Sequence, residues 1–147
     1  MRVRMAQAVA FAAPMVFVAA SSLAQTINVP GDFPTIQAAI DSVAAGQART
    51  VQVAAGTYNE SFALNGKNVV VRGAPKGGTV LDGTGLSVSI ATFSSNEPAT
   101  AGLENLVFRN ATSGTTINPP APVQVGGAVL GFNSSAFIRN CRFEDCA

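Results

Sequence analysis

The 147 residues contain no histidine, which removes imidazole acid–base catalysis, His-based triads and His-ligated metals from the chemistry open to this chain. The two cysteines, Cys141 and Cys146, cannot build a closed zinc site alone. Fully extended, their five-residue separation is roughly 16 Å, so a disulfide would need a turn at Glu144-Asp145. Cys141 reads instead as a small buried core residue. Carboxylates and arginines remain. Asp82, in Leu81-Asp82-Gly83-Thr84-Gly85, is the foremost acid, yet Asp-Gly is turn chemistry and the structural reading outweighs a catalytic one. Glu144-Asp145 offers two adjacent carboxylates where a hard cation takes roughly 6 to 8 oxygen ligands, and reads as a solvated turn. Arg72, Arg109, Arg139 and Arg142 recur beside apolar strand residues. They would flank an outer face able to contact acidic sugars, with Arg72 and Arg109 at one shared repeat position and solvated by default. Tyr58 is placed at a corner, packed on a helix rather than stacked on a sugar. Asn59, Asn110 and Asn133 open Asn-x-Ser/Thr sequons, which matter only in a eukaryotic secretory pathway. No residue is assigned a catalytic, cofactor-binding or metal-binding role, and no cofactor is implied.

Such side chains need elements to position them, and the chain divides into two unequal parts. Arg2 and Arg4 precede an apolar run from Ala6 to Ala20, then Ser22-Leu23-Ala24 with small residues at both cleavage-defining positions. This is the order of a secretory signal peptide over residues 1–24. The run is Ala-rich, contains Pro14, and falls short of the roughly 20 strongly apolar residues that span a bilayer. No membrane span is therefore expected after cleavage before Gln25. Removing Arg2 and Arg4 takes the formal charge from +1 to −1 and leaves no basic patch for nucleic acid.

In the mature part, Pro30-Gly31-Asp32-Phe33-Pro34 is turn chemistry, with Pro34 suited to a first helical turn. Ile36, Ala39, Ile40, Val43 and Ala44 follow at i, i+3, i+4, i+7 and i+8, which predicts one amphipathic helix over about 35–45 that stops at Gly46. From Thr50 onward the period becomes two. Strands are expected at 51–53, 62–64, 69–71, 80–81, 88–90, 106–108, 128–130, 137–138 and 141–143, after a short one at 27–29. With no later helix, a βαβ fold is excluded and a sandwich, barrel or solenoid remains.

Internal repetition favours the solenoid. Leu103-Glu104-Asn105-Leu106-Val107-Phe108-Arg109-Asn110 matches Ile138-Arg139-Asn140-Cys141-Arg142-Phe143-Glu144-Asp145. Asn68-Val69-Val70-Val71-Arg72-Gly73 fits the second half, so corners are expected at Asn68, Asn105 and Asn140, where Asn tolerates a left-handed backbone. The spacings of 37 and 35 residues exceed a compact coil of roughly 20 to 30, and 94–99 and 113–122 read as inserted loops.

Phe33-Pro34-Thr35-Ile36-Gln37-Ala38-Ala39-Ile40, with Val51-Gln52-Val53-Ala54-Ala55-Gly56-Thr57-Tyr58-Asn59-Glu60, resembles the start of pectin-lyase-like right-handed parallel β-helices, including pectinesterases. Asn68 to Gly73 and Leu81 to Gly85 continue the resemblance, and Gly126 to Phe143 is similar to generic repeats of bacterial surface and secreted β-helix proteins. It implies an all-β right-handed parallel β-helix over 25–147, with the helix capping its N-terminal end and coils over about 50–147. Relatives act on polysaccharides with Asp pairs and Arg, or with calcium-binding Asp and a base. Nothing here matches the later Gln, Asp and Arg motifs of pectinesterases, so no catalytic residue carries over. The expectation is an exported module, secreted, periplasmic or at the cell surface, that binds carbohydrate or a cell surface without catalysis. The alternative is the N-terminal fragment of a polysaccharide esterase or lyase with its site in downstream coils. A C-terminal coil without a cap is expected to be open to self-association.

Overall fold

Short runs of alternating apolar and polar residues become short strands because a two-residue period puts all apolar side chains of a strand on one face. The computed structural model describes residues 25–112, 115–117, 123–125 and 127–146. The expected signal peptide at 1–24 and most of the expected loop at 113–122 lie outside them.

Sheet A contains β1 (Gln25–Val29), β2 (Arg49–Val53), β5 (Val69–Arg72), β8 (Gly102–Glu104) and β13 (Phe137–Arg139), side by side in that order. Sheet B contains β3 (Gly56–Tyr58), β6 (Thr79–Asp82), β9 (Val107–Arg109) and β14 (Arg142–Glu144). Sheet C contains β4 (Phe62–Ala63), β7 (Ala91–Phe93) and β12 (Val129–Gly131). All pairings within these sheets are parallel. From β2 onward the chain visits A, B and C in that cyclic order, adding one strand to each sheet per circuit. Register offsets in sheet A grow from 20 residues (Arg49 to Val69) to 32 (Val70 to Gly102) and 35 (Gly102 to Phe137). Part of the last excess is a hairpin of β10 (Thr115–Ile117) and β11 (Val123–Val125), paired antiparallel; β10 falls within the segment expected as a loop, 113–122, and β11 directly after it.

Parallel register piles like residues on like. Inside sheet A runs Ile27, Val51, Val71, Leu103 and Ile138; inside sheet B runs Tyr58, Leu81, Phe108 and Phe143; inside sheet C runs Phe62, Ala91 and Val129. The middle members are buried in one core, whereas Ile138 and Phe143 in the last circuit are 46% and 48% exposed.

Helix α1 (Ile36–Asp41) lies against β1, β2 and β4 and adds Ile36, Ala39 and Ile40 to that core. It is shorter than the expected 35–45: Thr35 is the N-cap, its hydroxyl accepting from Ala38 N–H, and Pro34 lies before the cap. The helix ends at Asp41, well before Gly46, although Val43 is still buried. Distant side chains hold both ends. The Glu60 carboxylate accepts the N–H of Ile36 at 3.0 Å, and the Lys67 ammonium donates to the carbonyls of Ile40 and Asp41 at 2.9 and 2.8 Å. These are the orphan groups every helix end leaves, met with the charge signs that suit the helix dipole. The Gln37 amide meanwhile accepts from Ala63 N–H at 2.8 Å and donates to Ala63 O at 3.4 Å, closing the outer edge of β4.

Several expectations shift. The strand expected at 88–90 forms three residues later, at β7, with Ile90 buried just ahead of it. Strands β3 and β8 were not expected; each contains a glycine and lacks a β-branched run. Corners at Asn105 and Asn140 do take the left-handed conformation, with φ of 57° and 51°, but Asn68 does not. It lies just before β5 and accepts a hydrogen bond from the Thr100 hydroxyl at 2.8 Å. Left-handed corners instead recur after sheet C at Asn65, Asn96 and Asn133, and after sheet B at Asn110 and Asp145. At the earlier counterpart of Asn105 stands Gly73, where a Cβ would collide with the Asn105 carbonyl oxygen.

Candidate functional site

The outward residues of sheets A and B form two ladders of alternating charge. In sheet A, Gln52, Arg72, Glu104 and Arg139 occupy one row, and Arg72 pairs with Glu104 at 2.8 Å. In sheet B, Asp82, Arg109 and Glu144 occupy the equivalent row, with Arg109 and Arg142 on Glu144 at 3.3 and 2.7 Å. Arg72 and Arg109 therefore do not share a position: Arg72 sits over Glu104 in sheet A, Arg109 over Asp82 in sheet B. Arg139 lies over the Phe137 ring, 4.7 Å from its centroid. Three of the four arginines expected to face acidic sugars are thus neutralised within the fold.

Asp82 is a corner device. Its carboxylate accepts from the Thr84 hydroxyl at 2.6 Å and the Thr84 N–H at 2.8 Å, with a longer contact from the Asn110 amide at 3.3 Å. The Thr84 bonds, hydroxyl first, and then Asn110 and Arg109 hold its carboxyl below the usual range. Asn59 ties the same corner by donating to the carbonyls of Asp82 and Thr84 at 2.7 and 3.0 Å. Two of the three sequon asparagines are therefore engaged in native bonds. Glu144 is likewise an ion-pair partner, while Asp145 takes a left-handed corner, φ 50°.

Glu97, which sequence reasoning passed over, is 1% exposed. Its carboxylate accepts from the N–H groups of Gly66, Ser94 and Ser95 at 3.1, 3.3 and 3.1 Å. Burial works to raise its pKa, but its own N–H, those of Gly66 and Ser95, and the Ser134 hydroxyl outweigh burial and hold it low. It organises the loop between β7 and β8, the expected insertion at 94–99.

Tyr58 stands in sheet B beside Leu81, its hydroxyl donating to Ala54 O at 3.2 Å; burial and then Glu60 push its pKa up. Cys141 and Cys146 are free thiols of intermediate burial, so Cys141 packs against the core without being enclosed in it. Burial raises its pKa, which keeps the unreactive thiol form. Among the described residues no group of three metal-ligating side chains is found and no helix is long and apolar enough to cross a membrane.

The surface with free functional groups is the outer face of sheet C. Ala63, Thr92 and Leu130 form its outward row, the floor of a groove of about 390 Å³. Ser61 and Ser94 stand along it, with Val88 and Phe132 at 43% and 52% exposure. Among the described residues, no ionisable side chain lines it, and the hydroxyls of Ser61, Thr92 and Ser94 make no hydrogen bond to protein. An exposed aromatic ring beside free hydroxyls on a flat, uncharged floor is a combination that matches an amphipathic, uncharged ligand. None of these groove residues was singled out from the sequence, because only the register of sheet C makes neighbours of positions so far apart along the chain.

No family model, curated protein or solved structure matches this chain.

Proposed function

We propose that the chain forms successive coils of a right-handed parallel β-helix resembling the pectin-lyase-like proteins, is exported through residues 1–24, and binds neutral polysaccharide in the sheet C groove without turning it over. The cyclic visit to three parallel sheets, with α1 closing one end, supports the β-helix reading. The observation that carries the binding reading is the groove itself: Phe132 supplies a stacking face, and Ser61, Thr92 and Ser94 supply hydroxyls for sugar hydroxyls. An acidic polymer is disfavoured because Arg72, Arg109 and Arg142 already hold carboxylates. A binding rather than hydrolytic role is supported by the engagement of seven of the eight acidic residues in hydrogen bonds or ion pairs: Asp32, Asp41, Glu60, Asp82, Glu97, Glu104 and Glu144.

Affinity electrophoresis through gels containing neutral or acidic polysaccharides tests this. The chain is expected to be retarded by a neutral polymer and to run unretarded through polygalacturonate. Loss of the ring in F132A is expected to weaken retention about tenfold, equivalent to about 1.4 kcal/mol. Retention that F132A leaves intact sinks the groove. Methyl-ester release or unsaturated products, abolished by one carboxylate substitution, would replace the binding reading with the esterase or lyase one.

A further inference from the structure

Between β4 and β5 the chain turns at Asn65 and Gly66, the single Asn-Gly pair in the sequence. Both residues are left-handed, with φ of 53° and 73°, a conformation that Asn and Gly adopt more readily than other residues. The Asn65 side chain is exposed and, among the described residues, makes no hydrogen bond. Such a pair carries chemistry of its own. The Gly66 nitrogen gives up its proton and attacks the carbonyl carbon of the Asn65 side chain. A C–N bond forms, and the carboxamide nitrogen takes up a proton and leaves as ammonia. One water then opens the five-membered imide at either carbonyl, leaving aspartate or isoaspartate. Glycine favours the step because no Cβ crowds the nucleophile.

In this fold the nucleophile is held. Gly66 N–H donates at 3.1 Å to Oε1 of the buried Glu97, which belongs to the next circuit. The bond fixes the peptide plane between Asn65 and Gly66 and keeps its nitrogen from turning onto the Asn65 side chain. It also sets a negative charge beside a nitrogen that must itself become negative, so deprotonation is disfavoured. Glu97 is a poor base for the step, because the N–H groups around it hold its pKa below the ordinary range. The two corners are also closely stacked: a Cβ on Gly66 would lie 2.7 Å from the Ser95 carbonyl oxygen. Isoaspartate, which adds a carbon to the backbone, therefore has no room here.

We infer that Asn65 is a deamidation site that Glu97 keeps closed while the chain is folded. The site opens when the corners after β4 and β7 separate, and conversion then leaves a permanent mark of that opening. The inference is independent of the groove and of its ligand.

Incubation at mildly alkaline pH, followed by peptide mass mapping that separates aspartate from isoaspartate, tests it. In the unchanged chain Asn65 is expected to convert about tenfold more slowly when folded than in concentrated urea, the factor that one hydrogen bond to a charged group supplies. E97A removes the carboxylate and should speed conversion in the folded chain by about the same factor, with far-UV circular dichroism as the check on folding. Should E97A fail to fold, E97Q, whose neutral oxygen still accepts the N–H, is expected to give a smaller acceleration. E60A weakens the start of α1, away from this corner, and should leave the Asn65 rate at the parent's, which separates release of the nitrogen from a general loss of stability. A folded parent that converts as fast as the unfolded chain overturns the inference. So does a folded E97A or E97Q chain that converts no faster than the parent, or an E60A chain accelerated as much as either.

Discussion

Glu97 shows how a single ionisable side chain becomes structural. A carboxylate that is 1% exposed remains charged only if donors replace its water, and here backbone N–H groups from two successive C-to-A connections do so. It thereby bolts the loop after β4 to the loop after β7. Replacing it in E97Q turns two accepting oxygens into one and points an amide N–H₂ at backbone donors, at an expected cost of about 3 kcal/mol at neutral pH. The pH dependence follows from the lowered pKa. The folded form binds this proton less readily than the unfolded chain, so the stabilisation is complete above the ordinary glutamate range, about 4.3, and is lost as pH falls through that range to the lower folded value. Urea titrations should show the parent's midpoint declining in acid and the E97Q midpoint starting lower and declining less; equal slopes would remove Glu97 from this role. Nothing in Ser95-Asn96-Glu97 marks this glutamate as buried in the sequence: the Ser94 and Ser95 N–H groups are local donors, but the Gly66 N–H reaches it only through the stacking of one circuit on the next. Asp82 was legible as turn chemistry because its Thr84 partner is two residues away.

Elements were legible in proportion to how local their causes are. Helix α1 was marked by its apolar spacing, yet its ends were misplaced because they are set by Glu60 and Lys67, beyond any window along the helix. Strands with β-branched runs were recognisable, while β3 and β8, strands only through their neighbours, were not. The repeat pairing failed at Arg72 for a related reason: an apolar-x-apolar-Arg pattern fits the outer and inner faces of sheet A and sheet B alike, and only the register decides between them. The helix ends offer a direct test. In E60A the N–H groups of Ile36 and Gln37 lose their carboxylate while Thr35 continues to cap Ala38 N–H. The expected loss is about 1 to 2 kcal/mol, read as a lower urea midpoint at unchanged slope. An E60A midpoint equal to the parent's would show that Thr35 alone holds the helix start.

Over the whole molecule, each strand contacts chiefly the strand above and the strand below it in its own sheet. Stability in such an arrangement is a sum of neighbouring interfaces, and opening can begin wherever an interface is missing. The end with α1 has its apolar stacks covered and its helix held at both termini. The end with β13 and β14 leaves Ile138 and Phe143 half exposed. Amide hydrogen exchange on the dilute chain should therefore run as a gradient: fastest in β13 and β14, slower in β8 and β9, slowest in β2 and β5, whose residues Val51, Val53, Val69 and Val71 are fully buried. The ordering should follow sheet position rather than sequence position, with β9 exchanging like β8 although they lie in different sheets. Uniform protection across all circuits at dilution would mean the molecule opens only as one unit, and the coupling between circuits would then have to be far stronger than nearest-neighbour contacts supply.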